Sequence, residues 1–469
     1  MSNDTTVYEG AMPTRVGQIA LETRGMAPIP LDNRYGGLHR VFTVWFTPNL
    51  VPAAFFVGVI AFNLGFALGT AAIVTGTVLG SLLVAVMCSW GPSTGLGQLP
   101  LARLQFGRTV FVPGLLMWGS TIAWDALNAI FGAAAIHLLI SVPFWVGLLI
   151  VLAMQGVLGF FGYELMHIFE QWGSIVLGIM FVIITVKIAQ IGNFHSAATV
   201  HGGAEVGTFV LMATIAAGFV VSWGAYASEY SRYMKPDTSR SGIFWLALAG
   251  TVLSSAWIEI LGLAAAAVAT NGTSAGIRSL LGGGVLGGLG LIAIGIGTVA
   301  VNAMNDYSGS LALQAAGVRV RRPVVAVVVT VAAFFLTLWL NTGTLATKFE
   351  NVLLFITYWV PPFAAIQMVD WWRKRGKMNV QDVLSASLKP GWEALVALLV
   401  GFAAATPFMD TSVFVGYASS HWLRGGDIAF VVGFVVALVV YGGIRRVQTG
   451  STHDVEAEPD RPPAVVGAP

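Results

Sequence analysis

Charge is what this 469-residue sequence has least of: 24 Lys and Arg with 22 Asp and Glu make up only 10% of it. Soluble domains carry roughly a quarter of their residues charged, so a water-covered globular surface is excluded. Cysteine is almost missing. Cys88 alone closes no intramolecular disulfide, which excludes an oxidised, cross-linked framework. A phosphate loop of the G-x-x-x-x-G-K-[ST] type is also missing, so nothing supports nucleotide-driven work. Residues 1–40 carry Arg15, Arg24, Arg34 and Arg40 around no apolar centre, so no cleavable signal peptide is read there. What the chain does have is 56% hydrophobic residues and 56 glycines, the composition of helices that pack closely in lipid through small residues.

A bilayer core of about 30 Å takes about 20 apolar residues per helix. On that ruler the sequence predicts an all-α integral membrane protein of about twelve transmembrane helices, near 44–67, 70–90, 109–138, 142–163, 168–190, 207–228, 243–270, 284–312, 323–341, 349–372, 392–409 and 426–444. Even parity puts both termini on one side. With the N-terminus inside, all basic residues fall in inside segments except Lys187, Arg278, Lys348 and Arg424. That asymmetry predicts cytoplasmic termini and a cell-membrane location. Residues 1–35 and 447–469 read as cytoplasmic tails, the second disordered, on either side of one transmembrane domain at 36–446. The expected surroundings are lipid. No nucleic-acid partner is read, and the oligomeric state is not determined by the sequence.

Two spans contain break signals. Pro48 and Pro52 bracket Asn49 in span 1, and Gly218 and Gly224 interrupt the end of span 6. Proline frees carbonyls that lipid cannot satisfy, so such breaks face protein, ion or substrate. Breaks at corresponding places in two halves predict an inverted-repeat transporter with its site at the midplane. Ionisable side chains inside spans are costly and point to function: Asp125 in span 3, Glu259 in span 7 and Asp306 near the inner end of span 8. Trp124 and Asn128 are four apart on one face of span 3, and Asn302 and Asp306 repeat that relation on span 8 beside Asn305. Amides offer both donor and acceptor to the edge of a heterocycle, and an indole face stacks on a planar ring. The same residues also serve to bridge helices. Gly91-Pro92-Ser93-Thr94-Gly95 spells the G-x-S-x-G nucleophile string, the only support for a membrane-embedded hydrolase, but it lies in a loop with no strand-to-helix setting.

Trp223-Gly224-Ala225-Tyr226-Ala227-Ser228-Glu229-Tyr230-Ser231-Arg232-Tyr233 resembles the W-x-x-Y-A-S-D-Y-S-R-Y string of the purine-cytosine permease branch of the nucleobase-cation-symport-1 family, with Glu229 in place of Asp. Gly91-Pro92-x-Thr94-Gly95 followed by Gln98, Arg103 and Phe106-Gly107 is similar to the same branch, as are Trp45-x-x-x-Asn49, Phe161-Gly162-Tyr163 with His167 and Glu170, Asn305-x-Tyr307-Ser308 and Tyr358-Trp359. The resemblance spans about 30–445. It implies a five-plus-five inverted repeat, like that of neurotransmitter-sodium symporters, with two extra C-terminal helices. It also implies a proton- or sodium-coupled importer of cytosine, purines or related heterocycles that needs no cofactor. On the matching positions, Trp124 stacks on the base, Asn128 bonds its edge, and Asn302 and Asn305 complete a polar wall, with Phe219 and Ser222 at the span 6 break. The family's aromatic ring after that break is replaced by Val220, next to Phe219. A sodium site would use carbonyls near Asn49 and the hydroxyl of Thr298, whereas Asp125 or Glu259 would carry a coupling proton. Allantoin, hydantoin or amino-acid transport on the same fold is the alternative.

Overall fold

The computed structural model describes residues 27–161, 163–268, 271–318, 322–378, 380, 383 and 388–453. Its main helices are α1 (His39–Phe46), α2 (Pro52–Ile60), α3 (Gly65–Cys88), α4 (Phe111–Ile140), α5 (Phe144–Phe161), α6 (Tyr163–Ile191), α7 (Gly203–Val221), α8 (Arg240–Ala266), α9 (Gly284–Ala315), α10 (Arg322–Leu340), α11 (Leu345–Arg373), α12 (Trp392–Ala405) and α13 (Ala429–His453). Eight helical stretches among the described residues are long and apolar enough to cross a bilayer, and three shorter apolar helices accompany them. The first stretch, Pro52–Thr94, runs through two expected spans. It turns between them at Gly65, where φ is +66° and a Cβ would lie 2.6 Å from the backbone of Ser196 and Ala198. Only glycine suits that corner.

The sequence sorts these helices by how much of each faces protein. In α11 the apolar surface is almost wholly buried, whereas α6 and α13 leave most of theirs outward, to be covered by lipid. The most extensive interfaces join α4 with α9 and α3 with α7, followed by α3 with α8 and α11 with α13. Loops gather at two ends of the bundle. At one end the Ile29 amide donates to Gly95 (2.9 Å), Gly36 to Tyr233 (3.0 Å) and Gly391 to Phe106 (2.8 Å). At the other, Phe66 donates to Ser196 (3.0 Å), Thr199 to Asn63 (2.9 Å), and Asn351 to Ser412 (2.6 Å). Segments that the charge count placed on one side therefore meet on one side.

Two boundaries differ from expectation. Residues 27–35, read as tail, dock on the body because buried Arg34 donates to the carbonyls of Ile29 (2.8 Å) and Pro92 (2.6 Å). At the other end α13 continues to His453, past the expected boundary at 447. There Arg445 pairs with Asp370 (3.2 Å) and Gln448 donates to Glu393 (2.9 Å), which holds the extra turns against α11 and α12. Residues 1–26 and 454–469 lie outside the described residues.

The α2–α8 contact shows how small residues set helix spacing. A Cβ on Gly58 would lie 1.6 Å from the Glu259 carbonyl, and one on Gly262 would lie 1.9 Å from that of Phe55. Each helix rests its backbone in the other's glycine notch. Gly58→Ala and Gly262→Ala are each expected to lower stability by about 1–3 kcal/mol through overpacking. Gly119→Ala, with nothing within 4 Å, should cost nothing. Thermal unfolding of the detergent-solubilised variants checks this, and equal midpoints for all three would contradict it.

Candidate functional site

Both expected breaks are present. After α1 the chain makes a single tight turn at Thr47–Asn49, then Leu50 (φ −80°, ψ 67°) and extended Val51 lead to Pro52, which opens α2 where its missing N–H costs nothing. After α7 the chain tightens into a 3-10 stretch, Ser222–Tyr230, with Tyr226 out of helical conformation (φ −138°, ψ 20°). Asn49 ties the two breaks together. Its Nδ2 donates to the Trp45 carbonyl (2.8 Å) and to Ser254 Oγ (3.2 Å), and its Oδ1 accepts from Trp223 Nε1 (3.1 Å).

A cavity lies where these breaks face α4 and α9. Pro48 and Val51 come from the first break, Phe219, Ser222, Trp223 and Tyr226 from the second, Trp124 and Asn128 from α4, and Val301 and Asn305 from α9. About 280 Å³ of space lies between these residues, part of it open to solvent. None of these lining residues carries a formal charge. The Trp124 and Phe219 rings sit edge to face at 5.4 Å, as do Trp223 and Tyr226 at 5.3 Å. Phe219 thus leans its ring against Trp124 instead of lying parallel across a slot.

Polar groups in the wall have fixed directions. Asn128 gives one Nδ2 hydrogen to Asn302 Oδ1 (3.1 Å), and its Oδ1 is left as an acceptor. Asn302 cannot turn over, because its Nδ2 is held by the Asp125 carbonyl (3.0 Å) and by Gln155 Oε1 (2.9 Å). The Trp124 indole N–H is buried without an acceptor. Ser222 gives its hydroxyl proton to the Phe219 carbonyl (2.7 Å) and so offers only lone pairs.

Of the residues singled out in the sequence, Trp124, Asn128, Phe219, Ser222 and Asn305 are brought together at the cavity. Asn302 stands one layer behind, fully buried, and Val301 takes the wall position. Asp125 is not among the lining residues, and its carboxyl lies by Asp306, Asn305 and Gln155. Glu259 is remote: it lies fully buried in the α3–α8 seam and accepts from Thr77 (3.3 Å). Thr298 packs its side chain on Gly132 of α4, and the Asn49 side chain is engaged with Trp45, Ser254 and Trp223. Ser93 sits in a four-residue helix and donates to the Trp90 carbonyl (2.9 Å), not to a base. Sequence reasoning missed Pro48, Val51, Trp223, Tyr226 and Val301 as wall residues. The first four lay in segments already marked by the breaks and the recognised string.

An uncharged cavity between two interrupted helices of a membrane-spanning bundle defines a secondary transporter. The chain belongs to the family of permeases for cytosine/purines, uracil, thiamine and allantoin, whose model matches residues 28–433. It is 28% identical over 482 residues to the purine-cytosine permease fcyB of Emericella nidulans, covering 94% of this chain and 92% of that protein. Among solved structures, Mhp1, a nucleobase-cation-symport-1 family transporter, shares the fold. Its inward-facing form gives a TM-score of 0.74 at 20% identity over 92% of this chain and 95% of that one. Its closed form with bromovinylhydantoin bound gives 0.73 at 18% identity over 91% and 96%. These are transporters and not enzymes, which removes the hydrolase alternative.

The Asn49–Trp223 bond makes its own prediction. Trp223→Phe keeps an aromatic ring but strands the buried Asn49 acceptor, at a cost of about 1–3 kcal/mol. A lowered unfolding midpoint in detergent is expected, and an unchanged one would show that the bond contributes nothing.

Proposed function

We propose that this protein is a cell-membrane symporter, both termini cytoplasmic, that imports a neutral nucleobase or a close heterocyclic relative with a sodium ion or proton by alternating access. The observation that carries this reading is the wall of the cavity: an indole face and edge from Trp124, an acceptor from Asn128 and no charged side chain. A flat ring with an N–H donor next to a ring acceptor satisfies both groups, and its faces meet aromatic carbon. Such edges occur in cytosine and in purines. Amino acids fit less well, since an ammonium and a carboxylate would be desolvated without counter-charges. Family membership and the hydantoin-bound relative support the same class of substrate. Closure requires a ligand that contacts both halves of the wall, because only differential affinity shifts a conformational equilibrium.

Uptake of labelled cytosine into proteoliposomes, in competition with hypoxanthine, uracil, allantoin and a hydantoin, tests the substrate class. Cytosine or hypoxanthine should compete best. Asn128→Ala and Trp124→Ala should each cut uptake by at least about tenfold, the loss of one charge-free hydrogen bond or stacking contact of about 1.4 kcal/mol or more, with insertion unchanged. Normal uptake by a well-folded Asn128→Ala protein, or competition by amino acids alone, would overturn the reading.

A further inference from the structure

Behind the cavity wall lies a second polar layer. Asp125 sits at the middle of α4, is fully buried, and its carboxyl faces Asp306 of α9 together with the Asn305 and Gln155 amides. Neither Asp125 oxygen receives an aligned N–H or O–H. Asp306 is half-buried; its Oδ2 accepts from Gln155 Nε2 (3.2 Å), and its Oδ1 has no donor. Two facing carboxyls, each short of a donor, lack the one thing that a carboxyl proton supplies. At membrane depth both cannot be charged, because like charges in contact and desolvation act in the same direction.

Among the described residues, the ionisable groups around the pair have bonds or places of their own. On the Ser222–Tyr230 stretch and just after it, Tyr226 lines the cavity, Glu229 accepts from Ser308 (3.1 Å) and Arg232 donates to Tyr307 (3.2 Å). Arg103, on the short helix Gln98–Phe106, donates to the Ala315 carbonyl (3.3 Å) at the end of α9. From α5 the group in reach is the neutral Gln155. The side chains of Glu164, His167 and Glu170 on α6 lie outside the described residues.

We propose that the Asp125–Asp306 pair is the coupling-ion site and that its ion is a proton, carried on Asp125 and donated to Asp306 Oδ1. This deepens the reading above and rests on it. The pair bridges α4 and α9, the same two helices that the substrate bridges through Trp124 and Asn128 on one side and Asn305 on the other. Gln155 and Asn302 link the two layers, from Asp306 through to Asn128. With the proton in place, α4 and α9 hold together and the base wall is complete. Without it, two negative charges in contact push the helices apart and loosen the site. Proton and base therefore favour the same closed wall, and each strengthens binding of the other by the same factor. One proton enters with each base and leaves with it.

The test uses the full chain in proteoliposomes with a pH dye inside, and labelled cytosine and hypoxanthine as probes. With no sodium present, an inside-alkaline gradient should concentrate the base by about tenfold per pH unit, with the lumen acidifying by one proton per base. Asp125→Asn and Asp306→Asn should lose at least about tenfold of that concentration and all pH dependence of base binding, while Asp306→Glu recovers part of both. Accumulation that follows a sodium gradient without lumenal acidification would overturn the proposal, as would an Asp125→Asn protein that still concentrates base on a pH gradient. The wild-type proton measurement decides the matter even where a variant does not fold. Exchange of labelled for unlabelled base, which needs no gradient and moves no net protons, separates the two readings: intact exchange beside net uptake that leaves the lumenal pH unchanged sinks the proton site alone, and no exchange of either base sinks both.

Discussion

Where a helix stops inside a membrane, its freed N–H and C=O groups have no water to turn to, and the rest of this architecture follows from how they are satisfied. The break between α1 and α2 is closed by one side chain. Asn49 bonds back to Trp45 in its own helix, across to Ser254 of α8, and to Trp223 at the other break. A single amide thus joins three elements at the level where two helices are interrupted. Because the breaks are held against each other, their tightened turns are free to present Pro48, Val51, Phe219 and Ser222 to a cavity instead of to lipid. Glycines elsewhere serve the same end. The notches at Gly58 and Gly262 let α8 approach α2 closely enough for Ser254 to reach Asn49.

The second constraint is angular. Neighbouring residues on an α-helix point about 100° apart, so one helix can show a cavity one chemistry and its neighbour another. On α9, Val301 and Asn305 form the cavity-facing pair at i, i+4, whereas Asn302 and Asp306 form a parallel pair one step round. On α4, Trp124 and Asn128 face the cavity and Asp125 faces the same hidden layer as Asn302. The amides and aromatic rings line the cavity, and the carboxyls lie outside its wall. Carboxylates in the wall itself would have to be desolvated by each entering base.

This division explains what could and could not be read from the sequence. The membrane class and the all-helical fold were legible because lipid imposes length and apolarity directly. The breaks were legible because Pro48 and Pro52 have few other uses inside a span. The choice of Asn302 over Val301 as a wall residue failed, since polarity in an apolar helix marks a buried layer as readily as a binding surface. Gln155, the one amide in α5, carried a signal that went unused: an isolated amide in such a helix needs partners, and it has them in Asn302 and Asp306. Trp223 and Tyr226 were recognised as a string but not as a wall, because the rotation of a 3-10 stretch differs from that of an α-helix. Residues 27–35 looked like tail because the carbonyl that ties Arg34 to the body, that of Pro92, belongs to a distant loop.

Glu259 sharpens the contrast between a polar residue and a coupled one. It is as deeply buried as Asp125, and it too sits in a span. Yet its partner is the Thr77 hydroxyl, and its seam joins α8 to α3, neither of which contributes a wall residue. A charge change there has no direct purchase on the base. Asp125 is one residue from Trp124, and the carbonyl of its own peptide fixes Asn302, which in turn fixes Asn128. Two hydrogen bonds therefore lead from Asp125 to the Asn128 amide in the cavity wall. Depth in the membrane makes an ionisable group expensive, but only connection to the moving wall makes it able to drive transport.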